Sequence, residues 1–224
     1  MPLSWDGGYA GGFVGMMQGK SNTTVDGWND RLPVQKCYTN EETGEEKCHI
    51  VRHQFVNISY PGITNDGNVI GIMFGAYGGY NKQLNRALVV GLELDGAWSG
   101  ARDYNTIYAV TSSHKMPWNF NFTGRLGFLV TPQQNTMLYV KAGLNVKEQR
   151  SEITSPSATA SENKTKAGWT AGLGVEHKFD QRLLARVEGM YEKVSDQTVS
   201  IPGASTTLKG GAWNAKVGLA WAFN

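Results

Sequence analysis

The feature that most constrains this chain is a period of two. Between Ala87 and Trp98, the residues Leu88, Val90, Leu92, Leu94 and Trp98 share one parity, while Glu93 and Asp95 share the other. Successive side chains of a strand point to opposite faces, so this is strand periodicity and not helical periodicity. The pattern recurs along the chain. Trp118–Val130 sets Trp118, Phe120, Phe122, Leu126, Phe128 and Val130 against Asn119, Asn121, Thr123 and Arg125. Met137–Lys147 sets Leu138, Val140, Ala142, Leu144 and Val146 against Tyr139, Lys141, Asn145 and Lys147. Trp169–Phe179, Leu183–Val194 and Trp213–Phe223 repeat it, with Glu176, Arg186, Glu188 and Lys216 on the polar parity. Two Gly-rich stretches, Trp5–Gln18 and Val69–Tyr80, alternate less cleanly but carry the same aromatics, which makes eight strands.

The connections alternate in length. Asn81–Arg86, Thr131–Asn135 and Asp180–Arg182 are short and rich in turn formers, whereas Lys20–Gly67, Ala101–Pro117, Arg150–Thr165 and Ser195–Gly210 are long and polar. Short turns on one side and long loops on the other are the layout of an outer-membrane barrel. The mean hydropathy of −0.36 is compatible with it. A membrane strand needs only about 9–11 residues, of which every second one faces lipid. The expected fold is all-β: an eight-stranded antiparallel transmembrane up-and-down β-barrel with short periplasmic turns and four long extracellular loops. It forms a single domain over residues 1–224, with a long first extracellular loop at about 20–67. A net charge of +2 with no basic cluster argues against nucleic acid as a partner. The opening Met1-Pro2-Leu3-Ser4-Trp5 has no signal-peptide pattern, so the chain reads as the mature form of an exported protein placed in the bacterial outer membrane.

The tryptophans lie near the expected strand ends. Trp98, Trp118, Trp169 and Trp213 fall beside long connections, and Trp5 and Trp221 at the opposite end, as the two interfacial aromatic girdles of a barrel would. The inward parity carries Glu93, Asp95, Glu176 and Glu188 with Arg125, Lys141, Arg186 and Lys216. Eight strands enclose a lumen that side chains can fill, so these charges are expected to pair as a plug and not to line a pore. Glu93 and Asp95 as an acid/base couple is the weaker reading, because their spacing follows from the alternation itself. No catalytic residue and no metal site is assigned.

Cys37 and Cys48 flank Glu41-Glu42-Thr43-Gly44-Glu45-Glu46. A fold-back at Glu42-Thr43 brings them opposite one another, at a spacing a hairpin disulfide can close. Such a bridge fits an oxidising compartment. Charge and imidazole occur on both parities of Val34–Asn57, so the segment reads as an extramembrane hairpin and not as further membrane strands. His49 and His53, with Tyr60 nearby, form the candidate ligand-binding set, against the simpler reading of solvated loop residues. Gly15 to Ser21 fails the phosphate-loop pattern, and no nucleophile elbow is present.

The opening strand Trp5-Asp6-Gly7-Gly8-Tyr9-Ala10-Gly11-Gly12-Phe13-Val14-Gly15 resembles that of the small alphaproteobacterial major outer-membrane proteins, a group of surface antigens and hemin-binding proteins. Gly78-Gly79-Tyr80-Asn81, Val90 to Gly100, Gly124-Arg125-Leu126-Gly127 and Ala167 to Glu176 resemble its later strands. The resemblance covers the barrel and almost none of the loops. It implies an abundant surface protein with roles in membrane integrity, host contact or hemin capture, and no catalytic residues; no cofactor is expected. Its expected partners are outer-membrane lipid, lipopolysaccharide and host surface or serum proteins met through the loops. Hemin is an alternative ligand, and a narrow channel a second alternative.

Overall fold

The computed structural model describes the backbone of residues 4–39 and 46–223 and the side chains of residues 4–27 and 61–223. The strands are β1 (Gly7–Val25), β2 (Trp28–Thr39), β3 (Glu46–Tyr60), β4 (Ile63–Gln83), β5 (Leu88–Ile107), β6 (Val110–Leu129), β7 (Thr136–Thr154), β8 (Thr159–Lys178), β9 (Leu183–Lys193), β10 (Gln197–Ile201) and β11 (Ala204–Phe223). β1, β4, β5, β6, β7, β8, β9 and β11 follow one another around one antiparallel sheet, and β1 pairs back onto β11. The ring therefore has eight staves, with β10 continuing the stave of β9 after an interruption at 194–196. β2 and β3 form a separate hairpin inserted between β1 and β4.

The outer wall is apolar over the middle of the staves. Leu173 is 66% exposed, Trp213 65% and Ile72 70%, and Val14, Phe74, Leu92, Phe120, Val140, Val187 and Leu219 are exposed with them. Leaving one such side chain in water forfeits about 1.5–3 kcal/mol, and soluble proteins rarely expose contiguous apolar patches above a few hundred Å². A belt of this extent belongs in hydrocarbon. Trp98, Trp169 and Trp213 edge it at one end, with Trp118 half-buried opposite Trp98; Tyr80, Phe128, Phe179, Trp221 and Phe223 edge it at the other.

Trp5 departs from the girdle expected of it. It is 2% exposed and lies inside the short-turn end, where its Nε1 donates to the Gln134 carbonyl at 2.7 Å and the Lys178 ammonium sits 5.4 Å from its ring centroid. Its odd number matches Tyr9, Phe13 and Met17, the buried parity of β1, and that parity was the available signal. Val89, Met137, Leu184 and Ala222 join it in the apolar core. The void left beside it is about 10 Å³, little more than the least space one water occupies.

The polar connections also depart from expectation. The spans expected as long loops at Ala101–Pro117, Arg150–Thr165 and Ser195–Gly210 continue largely as paired strands, which reverse in tight turns at 108–109, 155–158 and 202–203. Pro202-Gly203 is such a turn, with Gly203 at φ 79°, a conformation glycine adopts without a Cβ penalty. In the first span, Lys20–Val25 and Ile63–Gly67 extend the wall and β2–β3 forms the hairpin. The cause of the difference is that beyond the rim both faces carry polar residues, such as Lys20, Arg102 and Arg150 outside and Ser21, Thr23 and Ser151 inside, so no apolar stripe marks the strands. The ladder shifts between Trp98 and Ala101, between Lys115 and Asn119, and between Gly19 and Ser21; on β6 this moves the inward parity from Asn119 and Asn121 to Ser112, His114 and Met116, while β1, β5 and β7 keep theirs. At the far end Val25, Ile107, Ile153, Val199, Ile201 and Ala204 bury one another and close the extension. Above Trp169, β8 pairs with β7 alone; side chains bridge its gap to β10, Lys166 Nζ donating to the Ser195 and Asp196 carbonyls and Gln197 Nε2 to the Glu162 carbonyl.

Because Trp5 fills the short-turn end, Trp5→Ala should open a cavity and destabilise the barrel by about 3–5 kcal/mol. Trp213→Ala, which removes a ring from the lipid face without opening a cavity, should cost less. Urea unfolding in lipid vesicles measures both, and equal losses would contradict the plug.

Candidate functional site

Tight turns at one end and continued strands at the other bring the inward parity of all eight staves into one enclosed column. At its centre Glu93 is a hub. Its carboxylate accepts from Lys141 Nζ at 2.8 Å, Arg186 Nη1 at 2.6 Å, Arg125 Nη1 at 3.3 Å and the Tyr9 hydroxyl at 2.8 Å. Arg125 also donates to Glu176 at 3.0 Å and to the Tyr9 hydroxyl at 2.7 Å. Lys141 reaches Glu188 at 2.8 Å and Asp95 at 3.5 Å, and Lys216 lies 2.9 Å from Asp95. Four acids face four bases, all but fully buried. Each buried ion forfeits several kcal/mol of hydration, so the cluster persists only because every charge is paired, most of them with several counterparts and Glu176 with Arg125.

Tyrosines complete the packing in a way the alternation left unread. The Arg186 guanidinium lies 3.3 Å from the Tyr77 ring centroid and that of Arg125 4.2 Å from Tyr139, whose hydroxyl donates to Glu188 at 2.9 Å. The rings need room on the facing wall. A Cβ at Gly79 would stand 2.5 Å from the Tyr9 hydroxyl, and one at Gly174 2.5 Å from the Tyr139 ring, so both positions require glycine.

The next layer outward is amide-rich. Asn119 and Asn214 donate to the same Glu192 oxygen at 2.7 and 2.9 Å, and Lys147 lies 3.7 Å from the other. Above the rim a layer of hydroxyls surrounds His114. Its Nδ1 is 3.0 Å from Ser151 Oγ and its Nε2 2.7 Å from Thr206 Oγ1. Thr23 joins Thr206 to Ser112, and Ser21 donates to Asp103 at 2.6 Å. The signal for His114 would have been its parity with Ser112 beyond the bulge.

Glu93 and Asp95 are held in ion pairs with buried cations, which argues against their serving as an acid/base couple. Cys37 pairs with Cys48 in the hairpin register, and His49, His53 and Tyr60 lie on β3; the side chains of all five are outside the described residues. Barrel lumen and hairpin are thus two distinct places in the fold.

Two outcomes follow. Glu93→Gln leaves three buried cations short of their shared acid, and about 3–5 kcal/mol of stability should be lost; Glu176→Gln, which strips one contact from Arg125, should cost less. Urea unfolding in vesicles separates them. Burial holds the His114 imidazole down at about 4, against the opposing pull of Asp103. The unfolded chain, titrating near 6.5, then binds more protons between those values. Stability should fall as pH drops from 6.5 toward 4, by at most about 3 kcal/mol. His114→Gln should lack that component, and a wild-type curve parallel to the variant's would refute it.

The 25 kDa outer-membrane immunogenic protein of Brucella canis is 29% identical over 149 residues, 66% of this chain and 64% of the relative. The match thus spans just under two thirds of that relative's length. The 22 kDa outer membrane protein of Rhizobium leguminosarum bv. viciae is 27% identical over 141 residues, 63% of this chain and 61% of its own. The solved outer membrane protein OprG of Pseudomonas aeruginosa aligns over 96% of both chains at 10% identity with a TM-score of 0.49. Residues 4–223 match the outer membrane protein beta-barrel domain. The chain is a member of that family, and its place is the outer membrane.

Proposed function

We propose that the protein is a structural barrel of the outer membrane that offers a preorganised extracellular platform for contact with host molecules. One observation carries this reading: the ladder continues past the tryptophan rim into a walled extension with its own apolar seal at Val25, Ile107, Ile153, Val199, Ile201 and Ala204. A surface ordered before contact loses less entropy on binding than free loops do. The β2–β3 hairpin adds a second element, and the register of Cys37 against Cys48 supports a bridge that clamps it. The immunogenic character named for the Brucella relatives supports exposure at the cell surface. Apolar seals at both ends and paired charges between them speak against a channel.

The test is binding of refolded, vesicle-embedded protein to cultured epithelial cells and to immobilised serum proteins. Wild type is compared with a variant whose residues 28–60 are replaced by a short turn, and with Cys37→Ser. Saturable binding that falls about 10-fold without the hairpin, a loss near 1.4 kcal/mol, is the expected result. Unchanged binding by both variants, or equal binding by empty vesicles, would remove the reading. Planar-bilayer recording should show no discrete steps; steps would restore the channel. A hemin Soret shift abolished by His49→Ala/His53→Ala would move the function to hemin.

A further inference from the structure

Outward-facing cations gather just beyond the tryptophan rim. Lys20, Arg102, Lys115, Arg150, Lys193 and Lys209 stand on β1, β5, β6, β7, β9 and β11, on the outer wall. Trp169 pairs directly with Lys193, Lys20 lies two residues past the partner of Trp213, and Lys115 three residues before Trp118. On one side of the barrel they are in register: Arg102 is opposite Lys115, and Lys115 is opposite Arg150. Neighbouring strands lie about 5 Å apart, so like charges placed directly opposite repel. Lys193 and Lys209 share Asp196, and Arg150 has Glu148 at 2.6 Å. For Arg102 and Lys115 the described residues show no ion pair. Beside the row opens a polar cleft of about 240 Å³, lined by Ser113, Lys115, Arg150, Glu152, Ser161 and Asn163 among others. It sits on the outer wall, on the far side of Trp118 from the lipid-facing belt.

A cationic row at this height meets the headgroups of whatever lipid surrounds the barrel. We propose that Arg102, Lys115 and Arg150, with the cleft beside them, bind the phosphate groups of outer-leaflet glycolipid. Lipid is favoured over a soluble anion because the row is aligned with the rim, so a phosphate seated there leaves its acyl chains along the exposed wall of Phe120, Phe122 and Leu144. Ser113, Ser161 and Asn163 supply neutral hydrogen-bonding groups beside the charges. The site is independent of the host-contact reading, since it faces the membrane plane and not the tip of the extension.

The experiment uses the refolded full chain in detergent micelles, titrated with bisphosphorylated lipid A, with the same lipid A after phosphatase treatment, with inorganic phosphate, and with heparin. Bound lipid is counted by native mass spectrometry. Wild type should prefer the phosphorylated lipid, and salt should weaken the preference. Each cation near an anionic surface contributes about 1 kcal/mol, so Arg102→Gln/Lys115→Gln/Arg150→Gln should bind about 100-fold less tightly. Arg86→Gln/Arg182→Gln, at the opposite end, should bind as wild type does. The three positions are exposed, so an unchanged heat-dependent gel shift will show that the triple variant still folds. Equal binding of dephosphorylated lipid A, or an unaffected triple variant, would overturn the proposal. Displacement by millimolar inorganic phosphate would assign a free-anion site instead. Tighter binding of heparin than of lipid would make the row an external polyanion site.

Discussion

The structure depends on the closure of one hydrogen-bond ladder. β1 meets β11 from Gly8–Phe223 up to Val25–Ala204, so the sheet has no edge within the apolar belt. Hydrocarbon offers no water to satisfy a free backbone N–H or C=O, and each left unpaired there costs several kcal/mol. Closure at eight staves then fixes the rest. The wall must alternate, the lumen must be narrow, and whatever occupies the inward parity must fill it.

The filling is polar, and its geometry explains the composition. Apolar residues hold both ends, through Trp5, Met137 and Leu184 on one side and Ile107, Ile153 and Ile201 on the other. Between them lie the Glu93 hub, the amides around Glu192 and the hydroxyls around His114. Large rings alternate with glycines because a column this thin cannot hold two bulky side chains at one level, as Tyr9 over Gly79 and Tyr139 over Gly174 show. A sealed, charge-paired column serves rigidity, and it leaves the outer wall and the extension as the surfaces that meet other molecules.

Much of this was legible in the order of residues. Strict alternation from Leu88 to Trp98 or from Trp118 to Val130 identified the staves, and it placed Glu93, Arg125, Lys141 and Lys216 on the parity away from lipid. The extension was not legible, because polar residues occupy both faces beyond the rim and such sequence resembles loop, and on β6 a bulge also interrupts the period. Trp5 was misplaced because it precedes the first ladder pair and its aromatic character fits girdle and plug equally.

By itself, the sequence determined which side chains face lipid and which face inward, since period two is a local property that needs no knowledge of neighbours. Which charges meet was decided only by the closed ring. Glu93 contacts Arg186, 93 residues away, and Lys216 contacts Asp95, 121 residues away, through the curvature of the wall. The same holds for His114 against Thr206 and for the row Arg102–Lys115–Arg150, which exists because three strands stand in register after a bulge. Register and curvature are set by pairing between distant segments, and no local pattern records them.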